Sequence, residues 1–184
     1  NSGPHHDDIM LGIMPLTNRQ LRPVSNDVHF AVMTSGHNSV TNGFLLNAFK
    51  MVLKYLEKDE IQMVHYPDFF EEGYKHKFDK DIYHYLDSVA RSDQYQMDRG
   101  FCHRLLRCSV TIWQLKNIDE LKAKYQEVIE VLENSYPGEP NTSDLQQLKG
   151  MIREFDDELV WAYHGVQVNH VHHLHLGFYQ DKGI

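Results

Sequence analysis

From about residue 41 onward, apolar residues recur every three or four positions, the spacing of amphipathic helices. Leu45, Ala48, Phe49, Val52, Tyr55 and Leu56 form one stripe, and Phe44, Leu46, Met51 and Leu53 widen it nearly all round. A helix apolar on most sides is expected at the centre of a fold. Lys54 and Lys58 close it, where cations suit the helix dipole. A connection carrying Pro67 and Gly73 follows, with Ile61-Gln62-Met63-Val64 as a candidate short strand. Near Asp79 another helix is predicted, on Ile82, Leu86 and Val89.

Between 101 and 115, the β-branched Val110, Thr111 and Ile112 favour a strand by propensity. Phe101, Leu105, Cys108, Ile112 and Leu115 nevertheless keep 4-3-4-3 spacing, so the stretch is assigned to a helix. Asn117 and Glu120 make a capping-box-like start for a stripe of Leu121, Tyr125, Val128, Ile129 and Leu132. After the break at Pro137-Gly138, Thr142 or Ser143 caps a last helix. Its seam is Leu145, Leu148, Ile152, Phe155, Leu159 and Ala162, the spacing of bundle contacts.

Residues 1–40 lack this period, and Pro4, Pro15 and Pro23 punctuate them. Within them Val28-His29-Phe30-Ala31-Val32-Met33 is apolar and partly β-branched, a short strand or an extended piece on the core. The expectation is a mainly α protein: a helical bundle of about five helices with room for one or two short strands. One domain is expected overall, as an irregular N-terminal segment (1–40) packed on a helical bundle (41–184).

Composition narrows the function classes. The chain of 184 residues carries a formal net charge of −8 with its thirteen histidines neutral. An acidic balance without a basic patch disfavours nucleic acid as a partner. No apolar run reaches membrane-spanning length, so no membrane partner is expected. Cys102 and Cys108 would stand about 9 Å apart along a helix, too far to bridge. Unpaired thiols suit a reducing compartment, and an intracellular (cytoplasmic or nuclear) location is expected.

The densest chemistry is C-terminal: His164, His170, His172, His173 and His175. Imidazole is the commonest metal-ligand side chain. As a strand, the run puts His170 and His172 on one face and His173 and His175 on the other. As a helix, it pairs His170 with His173 and His172 with His175. His170, His172, His175 and His164 are the candidate metal ligands, with carboxylates such as Asp156, Asp157 or Glu158 needed to complete a shell. Two weaker constellations read as ordinary surface. His65-Tyr66-Pro67-Asp68 with Glu71, Glu72, Lys75 and Lys77 lacks the acid-x-Lys spacing of metal-dependent nucleases. Ser35 with His37 pairs a nucleophile with a base, without a nucleophile elbow.

Two stretches, His5-His6-Asp7-Asp8-Ile9-Met10 and Trp161 with Asn169-His170-Val171 and Gly177, resemble haem-dependent tryptophan dioxygenases, an all-helical family. That resemblance implies His170 as an axial haem ligand. It covers only about two dozen residues, the Gly-Thr-Gly-Gly stretch does not follow, and the chain is not assigned to that family. Two functions are therefore expected. The first is a helical protein-interaction or regulatory domain, binding a protein partner or a second copy of itself, since no catalytic motif is complete. The alternative is a His-coordinated transition-metal or haem protein, an oxygenase among its forms, built on the C-terminal histidines.

Overall fold

A computed structural model describes residues 1–136 and 138–177; the last seven residues of the expected 41–184 bundle lie outside the described residues. The architecture is mainly α, with six helices and a small sheet of three strands among the described residues. The helices are α1 (Asp8–Leu21), α2 (Asn42–Glu57), α3 (Phe78–Ala90), α4 (Gln94–Trp113), α5 (Ile118–Asn134) and α6 (Ser143–Tyr163). The strands are β1 (Ser2–Gly3), β2 (Phe30–Val32) and β3 (Val171–His173). No helix among the described residues is long and apolar enough to cross a membrane.

The bundle core fills the space between α2, α4, α5 and α6 with residues such as Leu45, Phe49, Leu105, Leu106, Leu121, Tyr125 and Leu148, all essentially inaccessible. The central element is α4, not α2. Nine consecutive or near-consecutive α4 residues are buried, whereas Phe44 on α2 is 48% exposed. The helical reading of 101–115 holds because the period outweighs the β propensity of Val110-Thr111-Ile112. Thr111 also satisfies its hydroxyl on the Arg107 carbonyl one turn back, at 2.8 Å. Asn117 caps α5 as its spacing predicts, accepting the Glu120 amide at 2.8 Å. On α6 the seam residues Leu145, Leu148, Ile152 and Phe155 are all buried, so the seam is occupied within the bundle.

Two buried ion pairs clamp α4 to its neighbours. Arg104 reaches Glu158 of α6 at 2.7 Å and lies over the rings of Phe78 and Phe155. Arg107 reaches Asp81 of α3 at 2.8 Å and donates to the carbonyls of Gly73 and Tyr74. Cys102 and Cys108 are buried and unbridged, and burial pushes both thiols up to about 12, which keeps them protonated.

The first forty residues are more ordered than their sequence suggests. α1 runs through Pro15 because the helix kinks at Ile13 (φ −136°, ψ 20°) and starts again. Pro15 then falls in the first turn of the second piece, where a missing N–H costs little. The segment 61–64 is also not a strand; Gln62–His65 forms a 3-10 turn. The extended piece at 28–33 does become a strand. β2 is the middle of an all-parallel sheet, pairing Ser2 with Ala31 on one side and Phe30, Ala31 and Val32 with Val171, His172 and His173 on the other. This sheet ties the first and last parts of the described chain together. On its inner face, where Val32 is also buried, Phe30 and Val171 pack with Ile9, Val166 and Trp161 in a second, smaller core.

Trp161 lies flat on Phe30 with ring centroids 3.9 Å apart and donates its Nε1 hydrogen to Asp157 Oδ1 at 2.8 Å. Asp157 is 2% exposed, and burial pushes its carboxyl up to about 7. A carboxyl raised on folding contributes stability that is present below its unfolded value and lost as pH rises through its folded value. The difference in unfolding free energy between Asp157→Asn and the parent should therefore move in favour of the variant between about pH 4 and 7, then level off. Denaturant melts at several pH values check this; a difference that stays constant from pH 4 to 8 would contradict it.

Candidate metal centre

Strand geometry sorts the histidines into two groups, because successive side chains in β2 and β3 point to opposite faces. Phe30, Val32, Val171 and His173 turn inward. His29, just before β2, and His172, opposite Ala31, turn outward. His170, closing the 3-10 turn Val168–His170, joins the outward group.

On the outer face His29 has two other imidazoles beside it. Its ring centroid lies 4.2 Å from that of His170 and 5.2 Å from that of His172, with nearly parallel planes. Nδ1 of His29 is 2.9 Å from Nε2 of His172. Its other nitrogen, Nε2, is 3.3 Å from Oδ1 of Asp27, and the same carboxylate oxygen lies 3.5 Å from Nδ1 of His170. Asp27, His29 and His170 thus each present one donor atom, all within 4.8 Å of one another. Asp27 is well exposed and His170 half-buried, so the three converge at a site solvent can reach.

The inner group is buried and differently built. His6, which is 3% exposed, stacks on His173 with centroids 5.5 Å apart. Among the described residues, neither ring nitrogen of His6 or of His173 has a hydrogen-bond partner. Burial lowers both, His6 to about 4 and His173 to about 3, with Arg153 a further cause for His6 and the neighbouring His6 for His173. Both are neutral imidazoles at neutral pH. Gly36 is essential to this packing. It adopts φ 61°, and a β-carbon on it would stand 2.8 Å from His6 Nδ1.

Beside the inner group opens a cavity of about 570 Å³, bordered by Ser35, Gly36, His37, Met151, Glu154 and His175 among others. Ser35 Oγ and His37 Nδ1 are 2.9 Å apart across the left-handed turn at Gly36. His175 Nε2 meets Glu154 Oε1 at 2.5 Å.

Of the four histidines the sequence singles out, the structure brings His170 and His172 together and sends His175 to the other face. His164 is apart from both groups, at the end of α6 against the rings of Tyr163 and Trp161. The carboxylate that converges with the outer imidazoles is Asp27, not Asp156, Asp157 or Glu158; those three lie on α6, where Asp156 pairs with Arg153 and Glu158 with Arg104. Sequence reasoning missed Asp27 and His29, which stand more than 140 residues from His170. The one available signal was a histidine interrupting the apolar run Val28–Met33. The His65–Lys77 segment resolves into local surface pairs, His65 with Asp59 and Lys75 with Glu72.

No family model, curated protein or solved structure matches the chain.

Proposed function

We propose that this protein binds a divalent transition metal through Asp27, His29 and His170. The observation that carries the reading is the convergence of one carboxylate and two imidazole donors within 4.8 Å, from segments far apart in sequence. Two imidazoles and a carboxylate suit zinc, iron(II) and related ions, and three protein ligands leave positions open for water or a substrate. His172 fits as a positioning residue. With the Nδ1 proton of His29 donated to His172, Nε2 of His29 is left as the metal-facing atom. Asp27 supplies the negative charge that a dication requires, between rings that already touch it.

A bare ion fits this arrangement better than haem. His170 has its ring face covered by His29, and it borders neither the 570 Å³ cavity nor the smaller one of about 370 Å³ beside Asp27 and His29. Because the ligands come from the segments before β2 and β3, a bound ion joins the two strands and stabilises the sheet by mass action.

Isothermal titration with Zn²⁺ tests the proposal. Loss of residues that only orient metal ligands costs about 10–100-fold in affinity, so loss of a ligand should cost at least roughly 100-fold. Asp27→Asn, His29→Ala and His170→Ala should each reach that loss at this site, and His172→Ala should fall in the smaller range. Equal binding by the parent and the three ligand variants would overturn the assignment.

A further inference from the structure

His6 occupies a seat that suits only a neutral ring. It is 3% exposed and stacks on His173, and neither of its ring nitrogens has a hydrogen-bond partner among the described residues. The turn at Gly36 closes over it, leaving no room for a β-carbon beside Nδ1. A neutral imidazole can lie there as an aromatic ring. An imidazolium brings a charge and two N–H donors, and burying an unpaired charge is far costlier than burying a neutral polar group. His6 also closes the segment that carries β1. We propose that residues 1–6 are an acid-released strap: protonation of His6 frees β1 from β2 and opens one wall of the 570 Å³ cavity.

The charged groups around the ring do little to help a proton. Arg153 of α6, His5 and His175 oppose a charged His6, and Asp7 alone among the described neighbours favours it. Arg153 is engaged by Asp156, His175 by Glu154, and His5 by Asp8. His37, next to Gly36, is bonded to Ser35, and His173 is itself a buried neutral ring. The strap is the weaker of the two partners in the stack, so it is the part that moves. β1 has two residues and lies at the sheet edge. It is held where the amides of Ala31, Met33 and Thr34 donate to the carbonyls of Asn1, Gly3 and Pro4 at 2.9–3.0 Å, and the Thr34 hydroxyl adds a bond to Pro4 at 2.7 Å. His173, by contrast, belongs to β3, which pairs over three residues and is extended by the Leu174 and Leu176 amides bonding to Val32 and Met33. Short edge elements with few bonds open at the lowest free energies in a fold. His5 and Thr34 border the cavity, so release of the strap removes part of its wall. The outer metal site is separate, since Asp27, His29 and His170 stand before β2 and β3.

Amide hydrogen exchange of the full chain at Met33 and Thr34, corrected for intrinsic rates, reads the release directly. With His6 lowered by burial to about 4 in the closed form and at 6.5 when free, the closed form is favoured above pH 6.5 and loses ground as pH falls towards 4. Between pH 7.5 and 5 the opening constant at these two amides should rise about 30-fold from His6 alone. Amides in the bundle, such as those of Leu106 and Leu148, should keep their protection over the same range. His6→Phe retains a ring on His173 without a titrating group and should hold the opening constant nearly level. His6→Gln, neutral and smaller, gives the same reading if the phenyl ring does not fit. Ring nitrogen shifts of His6 in the parent need no variant and should show a neutral imidazole at pH 5.5. Protection at Met33 and Thr34 that is the same at pH 7.5 and 5 would overturn the proposal. So would an equal rise in the parent and both variants, an equal loss at Leu106 and Leu148, or a charged His6 ring at pH 5.5 while Met33 and Thr34 stay protected.

Discussion

Arg107→Ala is expected to lower the unfolding free energy by about 3–5 kcal/mol, the cost of leaving one member of a buried ion pair without its partner. Arg107 and Asp81 are both nearly inaccessible, and the guanidinium also satisfies the carbonyls of Gly73 and Tyr74. Burial already pushes the Asp81 carboxyl above its ordinary range, with Arg107 and Arg104 pulling it back. Removing Arg107 takes away the stronger of those restraints. For a chain of this length the loss amounts to a fall in melting temperature of roughly 10 °C. Arg107→Leu combined with Asp81→Leu should recover part of it, since neither member of this pair is then left as an unpaired buried charge, although the two carbonyls still lack their donor. A melting temperature for Arg107→Ala within a degree of the parent would show that the pair does not clamp α3 to α4.

The second large effect concerns the smaller core. Trp161→Ala should cost about 3–5 kcal/mol by leaving a cavity under the sheet. It should also weaken zinc at the outer site, because Trp161 supports Phe30 and Phe30 is next to His29 in the chain. Trp161→Phe separates the two contributions. It keeps a ring on Phe30 but leaves Asp157 without the indole hydrogen, at a cost of about 1–3 kcal/mol. Zinc affinity should then stay near that of the parent. Chemical denaturation and zinc titration of the two variants check both statements. Parental stability in Trp161→Ala, or equal zinc loss in both variants, would contradict this account of how the sheet is supported.

Much of the bundle is legible in the sequence because its signal is local. The stripes on α4, α5 and α6 repeat over four turns or more, long enough for the period to overrule the β propensity of Val110-Thr111-Ile112. What fails is also local in origin. Phe44, Leu46 and Leu53 make α2 look apolar all round, yet burial is decided by which neighbours pack on it, and those lie elsewhere in the chain. Pro15 masks α1 because a proline ends a helix by rule, and the kink that accommodates it at Ile13 has no signature in composition. The candidate site is half legible. The histidine run marks its C-terminal side, and alternation along a strand correctly separates His172 from His173. Asp27, His29 and His6 come from the other end of the described chain. They meet the run only because β2 pairs with both β1 and β3, a register set by tertiary packing. A parallel pairing across about 140 residues leaves no mark in local spacing.

The most direct measurement is a crystal structure of the zinc-loaded protein with anomalous data at the zinc edge. The account predicts a peak about 2.0–2.2 Å from a carboxylate oxygen of Asp27 and from ring nitrogens of His29 and His170. Zinc-soaked crystals in which these three side chains are clearly seen and no peak lies between them would contradict it.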